Sequence, residues 1–173
     1  MAAPPPAVPG AISTEAGQLA IRHEKFTLNN GFEVILVEDR RLPLVAVNLW
    51  VHAGPRNEAP GQTGFAHLFE HLMFAGSRHV PRGEYDKVVD AAGGTDANGS
   101  TNFDRTNYFF TLPSNQLETG LWLKADMLGW MIDEVDSVAL VNQQDVVRNE
   151  RRQSFENRPY GIVEEAMYQA LYP

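Results

Sequence analysis

The stretch Gly64-Phe65-Ala66-His67-Leu68-Phe69-Glu70-His71-Leu72-Met73-Phe74 decides how the rest of the chain is read. As a helix it turns about 100° per residue, so His67 and His71 stand one above the other on one face. Glu70, one residue before His71, projects from the neighbouring edge of that face. Two imidazoles at i and i+4 can grip one metal ion. A carboxylate beside them can hold a water molecule without itself being a ligand. The order His-x-x-Glu-His reverses the commoner His-Glu-x-x-His arrangement. The competing reading is an amphipathic helix on which two histidines and a glutamate fell together by chance. The metal reading therefore requires a third ligand and a cleft from elsewhere in the chain.

Composition narrows the choice. The chain has 173 residues, 43% of them hydrophobic, which predicts one domain with a real core. A formal charge of -8 argues against a nucleic-acid partner or an anionic membrane surface. Arg148, Arg151 and Arg152 are interleaved with Glu150 on one predicted helix and read as a solvated face. There is no cysteine, so disulfides, a cysteine nucleophile and thiolate-bound zinc are excluded. Any zinc must be held by histidine and carboxylate. No apolar run approaches a membrane-spanning length.

Residues 1–22, with Pro4, Pro5, Pro6 and Pro9, read as a flexible or extended Ala/Pro-rich leader, with order beginning near His23. Asn29-Asn30-Gly31 between Lys25–Leu28 and Phe32–Val37 predicts a hairpin, and Leu44–Val51 a third strand. Thr63 is the expected cap of the motif helix. A short helix over Gly83–Ala92 precedes two strands, Thr95–Asn102 and Thr106–Leu112. Ser114 is placed to cap a helix through Ile132, whose expected inward stripe is Leu117, Leu121, Leu128 and Ile132. Further helices are expected from Asp136 or Ser137 to about Asn157, and from Ile162 to Leu171. The order predicts an α+β two-layer sandwich, a mainly antiparallel sheet with helices packed on one face.

For the third metal position, His23, His52 and His79 lie in strand or loop regions and are poor candidates. A downstream carboxylate on a helix packed against the motif helix would serve better. Here a resemblance becomes specific. Gly64-x-x-His67-x-x-Glu70-His71-x-x-Phe74-x-Gly76-Ser77 resembles the signature of the zinc metallopeptidases that include pitrilysin, insulin-degrading enzyme and the mitochondrial processing peptidase. Ala92-Gly93-Gly94, Asn98-Gly99-Ser100-Thr101, Asp104–Tyr108, Pro113–Leu117 and Val146–Gln153 extend it, and Glu156–Gly161 is similar to the bacterial branch.

The resemblance implies one zinc ion per catalytic domain, held by His67, His71 and Glu150, with Glu70 as general base. It implies Gln143 where many members carry a supporting glutamate; glutamine can hydrogen-bond there but brings no charge. It implies that Gly94–Thr101 is an edge strand to which a substrate peptide adds. Asn98, Gly99, Ser100 and Thr101 would then be substrate-binding residues, with Asn98 beside the zinc. The implied activity is zinc-dependent endopeptidase cleavage of short or unfolded peptides. The alternatives are a non-catalytic structural or binding subunit and a zinc-stabilised binding module of the same fold. On this reading residues 23–173 form the N-terminal part of a catalytic domain. Its remainder, and a second homologous domain closing the cleft, would lie outside the chain, leaving the piece alone weakly active or inactive. The leader and the lack of cysteine fit a periplasmic or secreted location, with a cytoplasmic one also compatible.

Overall fold

The computed structural model describes residues 13–15 and 18–171, which fall into two compact units divided between Pro43 and Leu44. In the first, β1 (Ser13–Glu15) pairs antiparallel with β2 (Gln18–Ala20), and β3 (Glu24–Thr27) with β4 (Glu33–Leu36). The β3–β4 turn falls at Asn29-Asn30-Gly31. There Leu28 N donates to Phe32 O at 2.8 Å, and Asn30 Oδ1 accepts from Phe32 N at 3.1 Å. The β1–β2 hairpin lies inside the expected leader; the rest of that leader, 1–12 and 16–17, lies outside the described residues.

The second unit is built on a sheet of β5 (Leu44–Val51), β6 (Thr95–Asn102) and β7 (Arg105–Pro113), in the antiparallel order β5-β7-β6. Side chains alternate across a strand. Val45, Val47 and Leu49 therefore share a face with their partners Leu112, Phe110 and Tyr108. Onto that face pack α1 (Phe65–Ala75), α2 (Tyr85–Ala91) and α3 (Leu117–Trp130), through Leu68, Leu72, Met73, Val89, Leu123 and Met127. α4 (Ser137–Arg151) lies against α1, and α5 (Val163–Leu171) follows. This is the α+β arrangement with helices on one sheet face.

Two local expectations are corrected. The inward side of α3 is Gly120, Leu123, Lys124 and Met127, whereas Leu117, Leu121, Leu128 and Ile132 are 40–65% exposed. Gly120 decides this, because a Cβ there would stand 2.8 Å from Leu112 Cδ1 and 3.1 Å from Phe110. The helix therefore sits closest to the sheet along its smallest side chain. Lys124 and Asp126, both buried, disguise the true inward stripe as polar. Ser114 does not cap α3; it opens a 3-10 turn, Ser114–Gln116, ahead of the helix. The expected helix to about Asn157 is present, its helical run reaching Glu156, with regular α4 ending at Arg151. The chain continues as one wider turn, Arg152–Glu156, closed by Asn157 N donating to Arg152 O at 2.7 Å. At the start of α4, Asp136 caps as read, accepting from Ala139 N at 2.6 Å.

Candidate metal centre

Helix α1 is fixed at both ends before it presents any chemistry. Its N-terminus is not capped by Thr63. Gly64 takes the left-handed φ of +102° that favours glycine. The Glu58 carboxylate reaches back from the preceding loop, accepting from Gly64 N at 2.8 Å and Ala66 N at 2.7 Å. A negative group at a helix start also complements the helix dipole. Beyond the C-terminus, Ser77 Oγ and the His79 ring both bond Asp126 of α3, which is 1% exposed. Burial alone would raise the Asp126 pKa, but the hydrogen bonds from Ser77 and His79 outweigh it and hold the carboxyl below its usual range.

With Leu68, Leu72 and Met73 turned into the core, His67, Glu70 and His71 are left half-buried at the surface of α1. Helix α4 supplies Glu150. Val147, one turn earlier, packs against the core and brings Glu150 to the histidines; Val146 stays 41% exposed. The two Nε2 atoms are 3.2 Å apart, and Glu150 Oε2 lies 3.4 Å from His67 Nε2 and 3.3 Å from His71 Nε2. Zinc binds such atoms at about 2.0–2.2 Å in a tetrahedron, whose edge is then roughly 3.3–3.6 Å. The triangle thus has the size and donor set that a zinc ion requires. Among the described residues it is the group of three His, Cys, Asp or Glu that could hold a metal. Gln143 lies two turns before Glu150, half-buried, and the hydrogen bonds at the centre do not include it.

Glu70 stands apart from the triangle, its Oε2 accepting from Thr101 Oγ1 of β6 at 2.5 Å. Burial raises the Tyr108 pKa above its ordinary value, and the Glu70 charge adds to that. The four β6 residues divide between two faces. Gly99 and Thr101 face α1, whereas Ser100 faces away, donating to Asn107 Oδ1 at 2.7 Å and accepting from Arg105 Nη1 at 2.7 Å. Asn98 shares the face of Ser100, and its Oδ1 accepts from the neighbouring Gly99 N at 2.8 Å. The Asn98 side chain is thus turned onto its own strand and not towards Glu70. A cleft of about 760 Å³ opens beside the centre, lined among others by Phe65, His67, Gln144, Glu150, Phe155 and Gln169.

Sequence reasoning missed Glu58, Asp126 and Lys124. Glu58 precedes the helix by too many residues to read as a cap, and the other two are polar residues on a helix. Lys124 is 5% exposed, donates to the Tyr85 hydroxyl at 2.9 Å and lies 4.4 Å from the Phe110 ring centroid. Burial lowers its pKa to about 7.

The family model described as "Insulinase (Peptidase family M16)" matches residues 33–173. "Zinc protease PqqE" of Helicobacter pylori is 34% identical over 152 residues, covering 87% of this chain and 34% of that protein. Human insulin-degrading enzyme is 32% identical over 95 residues, 54% of this chain and 9% of the enzyme. The crystal structure of a protease from Helicobacter pylori superposes with a TM-score of 0.76 at 35% identity, over 82% of this chain and 33% of that one. The periplasmic protease PqqL from Escherichia coli shares the fold, with a TM-score of 0.68 at 22% identity over 75% of this chain and 15% of its own. The chain spans about a third of the Helicobacter pylori protein and less of the others. Among the described residues no helix is long and apolar enough to cross a membrane. With the family model matched from residue 33 to residue 173, the chain belongs to the insulinase family, peptidase family M16.

Proposed function

We propose that this chain carries the zinc centre of a metalloendopeptidase, with His67, His71 and Glu150 as metal ligands and Glu70 as general base. The observation that carries the reading is the triangle of two imidazole nitrogens and one carboxylate oxygen with edges of 3.2–3.4 Å, beside a carboxylate left out of it. Zinc held there would supply Lewis acidity to a peptide carbonyl and to a water molecule. Glu70 takes the water's proton as its oxygen attacks the carbonyl carbon. It then delivers that proton to the departing amine nitrogen as the C–N bond breaks.

Strand β6 ends the sheet order β5-β7-β6, so its outer backbone edge can take an extended peptide as a further strand. The substrate is accordingly a short or unfolded peptide. Residues 23–173 act as part of a catalytic domain, and a second homologous domain closes the cleft. The small share of its relatives that the chain spans supports this. Having all four site residues favours an enzyme over a non-catalytic subunit.

The test is peptide hydrolysis by wild type and Glu70→Gln at matched zinc content. The variant is expected to keep one zinc and to lose at least about 100-fold in kcat. A zinc-replete Glu70→Gln protein with wild-type activity would overturn the assignment.

A further inference from the structure

Glu70 sits on a flexible side chain, yet a general base works only when one oxygen is aimed at the proton it must take. Strand β6 supplies two constraints on it. The first is the hydroxyl of Thr101, 2.5 Å from Glu70 Oε2. That hydroxyl has a single proton. Its other near neighbour, Thr106 Oγ1 at 3.4 Å, already donates its own proton to Ala53 O at 2.9 Å. Thr106 is 4% exposed, so this pairing is fixed within the fold. Thr106 Oγ1 can therefore only compete as an acceptor, and at 3.4 Å against 2.5 Å the carboxylate takes the Thr101 proton on Oε2, which leaves Oε1 as the oxygen without a hydroxyl on it.

The second constraint is an absence of volume. A Cβ on Gly99 would stand 2.8 Å from Glu70 Oε1, 3.0 Å from Glu70 Cγ and 3.1 Å from Phe74 Cε2. The nearest of these atoms is the far end of a side chain that can swing away. A methyl at position 99 would therefore displace the carboxylate at little cost to folding. The need for a small residue at 99 comes from Glu70, in addition to any backbone that approaches the strand from outside.

We infer that Thr101 and Gly99 are positioning residues for Glu70: the Thr101 hydroxyl holds Oε2 while the bare Cα of Gly99 leaves the space that Oε1 occupies as proton acceptor. The inference rests on Glu70 being the base of the proposed reaction, but its geometric half can be tested without turnover.

The experiment compares Thr101→Val, Thr101→Ser and Gly99→Ala in the full, zinc-loaded chain, reading kcat and KM on a short peptide, zinc content, melting temperature, and the Glu70 side chain in crystal structures. Valine keeps the shape of threonine and removes the hydroxyl. Thr101→Val and Gly99→Ala are expected to lower kcat about 10- to 100-fold with KM and zinc content unchanged. Thr101→Ser should recover most of that loss. In the crystals, the Glu70 carboxylate should leave its wild-type place in Thr101→Val and Gly99→Ala and keep it in Thr101→Ser. A rise in KM with kcat unchanged would mark these residues as substrate contacts and overturn the inference, as would a Thr101→Ser protein as impaired as Thr101→Val. A chain that takes up no zinc fails the proposed function, whereas one that takes up zinc and cleaves no peptide behaves as part of a catalytic domain is expected to. The crystal structures then decide the positioning separately, and an unmoved Glu70 carboxylate in both Thr101→Val and Gly99→Ala refutes it.

Discussion

Lys124 is a cation placed among the rings of Phe74, Tyr85, Tyr108 and Phe110, with its ammonium against the Tyr85 hydroxyl. The ring faces offset part of what it loses by leaving water. They do not offset all of it, and burial brings its pKa from 10.5 down to about 7. Between those two values the unfolded chain holds a proton that the folded chain does not. Stability therefore rises with pH across this window and is reduced as pH falls from 10.5 to 7. The full difference is on the order of 5 kcal/mol. Lys124→Met should remove this slope and leave the protein more stable than wild type at pH 7, read by urea unfolding at a series of pH values. A variant whose stability follows the wild-type pH curve would show that the lysine is not the group responsible. The same residue explains a misreading at this scale: a lysine in the middle of an otherwise apolar stripe makes the inward face of α3 look like the outward one.

At the scale of the element, α1 shows what a motif leaves unsaid. The i, i+4 histidines and the adjoining glutamate are readable because one helix fixes their relation. The end of the helix is not, because its cap comes from Glu58, six residues before Gly64, by a loop path that no local rule encodes. Removing that carboxylate leaves two backbone donors of the first turn to water. Glu58→Ala should cost about 1–2 kcal/mol of stability and loosen the turn that carries His67. Thermal melting with and without zinc measures both effects; an unchanged melting temperature would mean that another group caps the helix. The strands were more legible than the helix ends. Alternation in Leu44–Val51 and Arg105–Pro113 reads directly as one inward face, and Asn30-Gly31 marks its hairpin. Asn98 shows the limit of that reading, since alternation places it with Ser100 on the far face while resemblance had it beside the metal.

At the scale of the whole molecule, the triangle of His67, His71 and Glu150 joins helices that are about 80 residues apart in sequence and meet only through the fold. From the residues alone, Glu150 is one of many glutamates on a charged helix; only the resemblance singled it out. Its neighbours Arg148 and Arg151 are occupied with Asp145 and with Glu156 and Glu165, which leaves the Glu150 carboxylate directed at the histidines. Thr101 was legible as part of a strand and illegible as the partner of Glu70, because that contact exists only once β6 lies beside α1. The measurement that tests the account most directly is calorimetric titration of zinc into the metal-stripped chain and into Glu150→Ala. The account predicts one zinc per wild-type chain and an affinity at least about 100-fold weaker in the variant. Glu150→Ala binding one zinc with wild-type affinity, or a wild-type chain that takes up none, would contradict it.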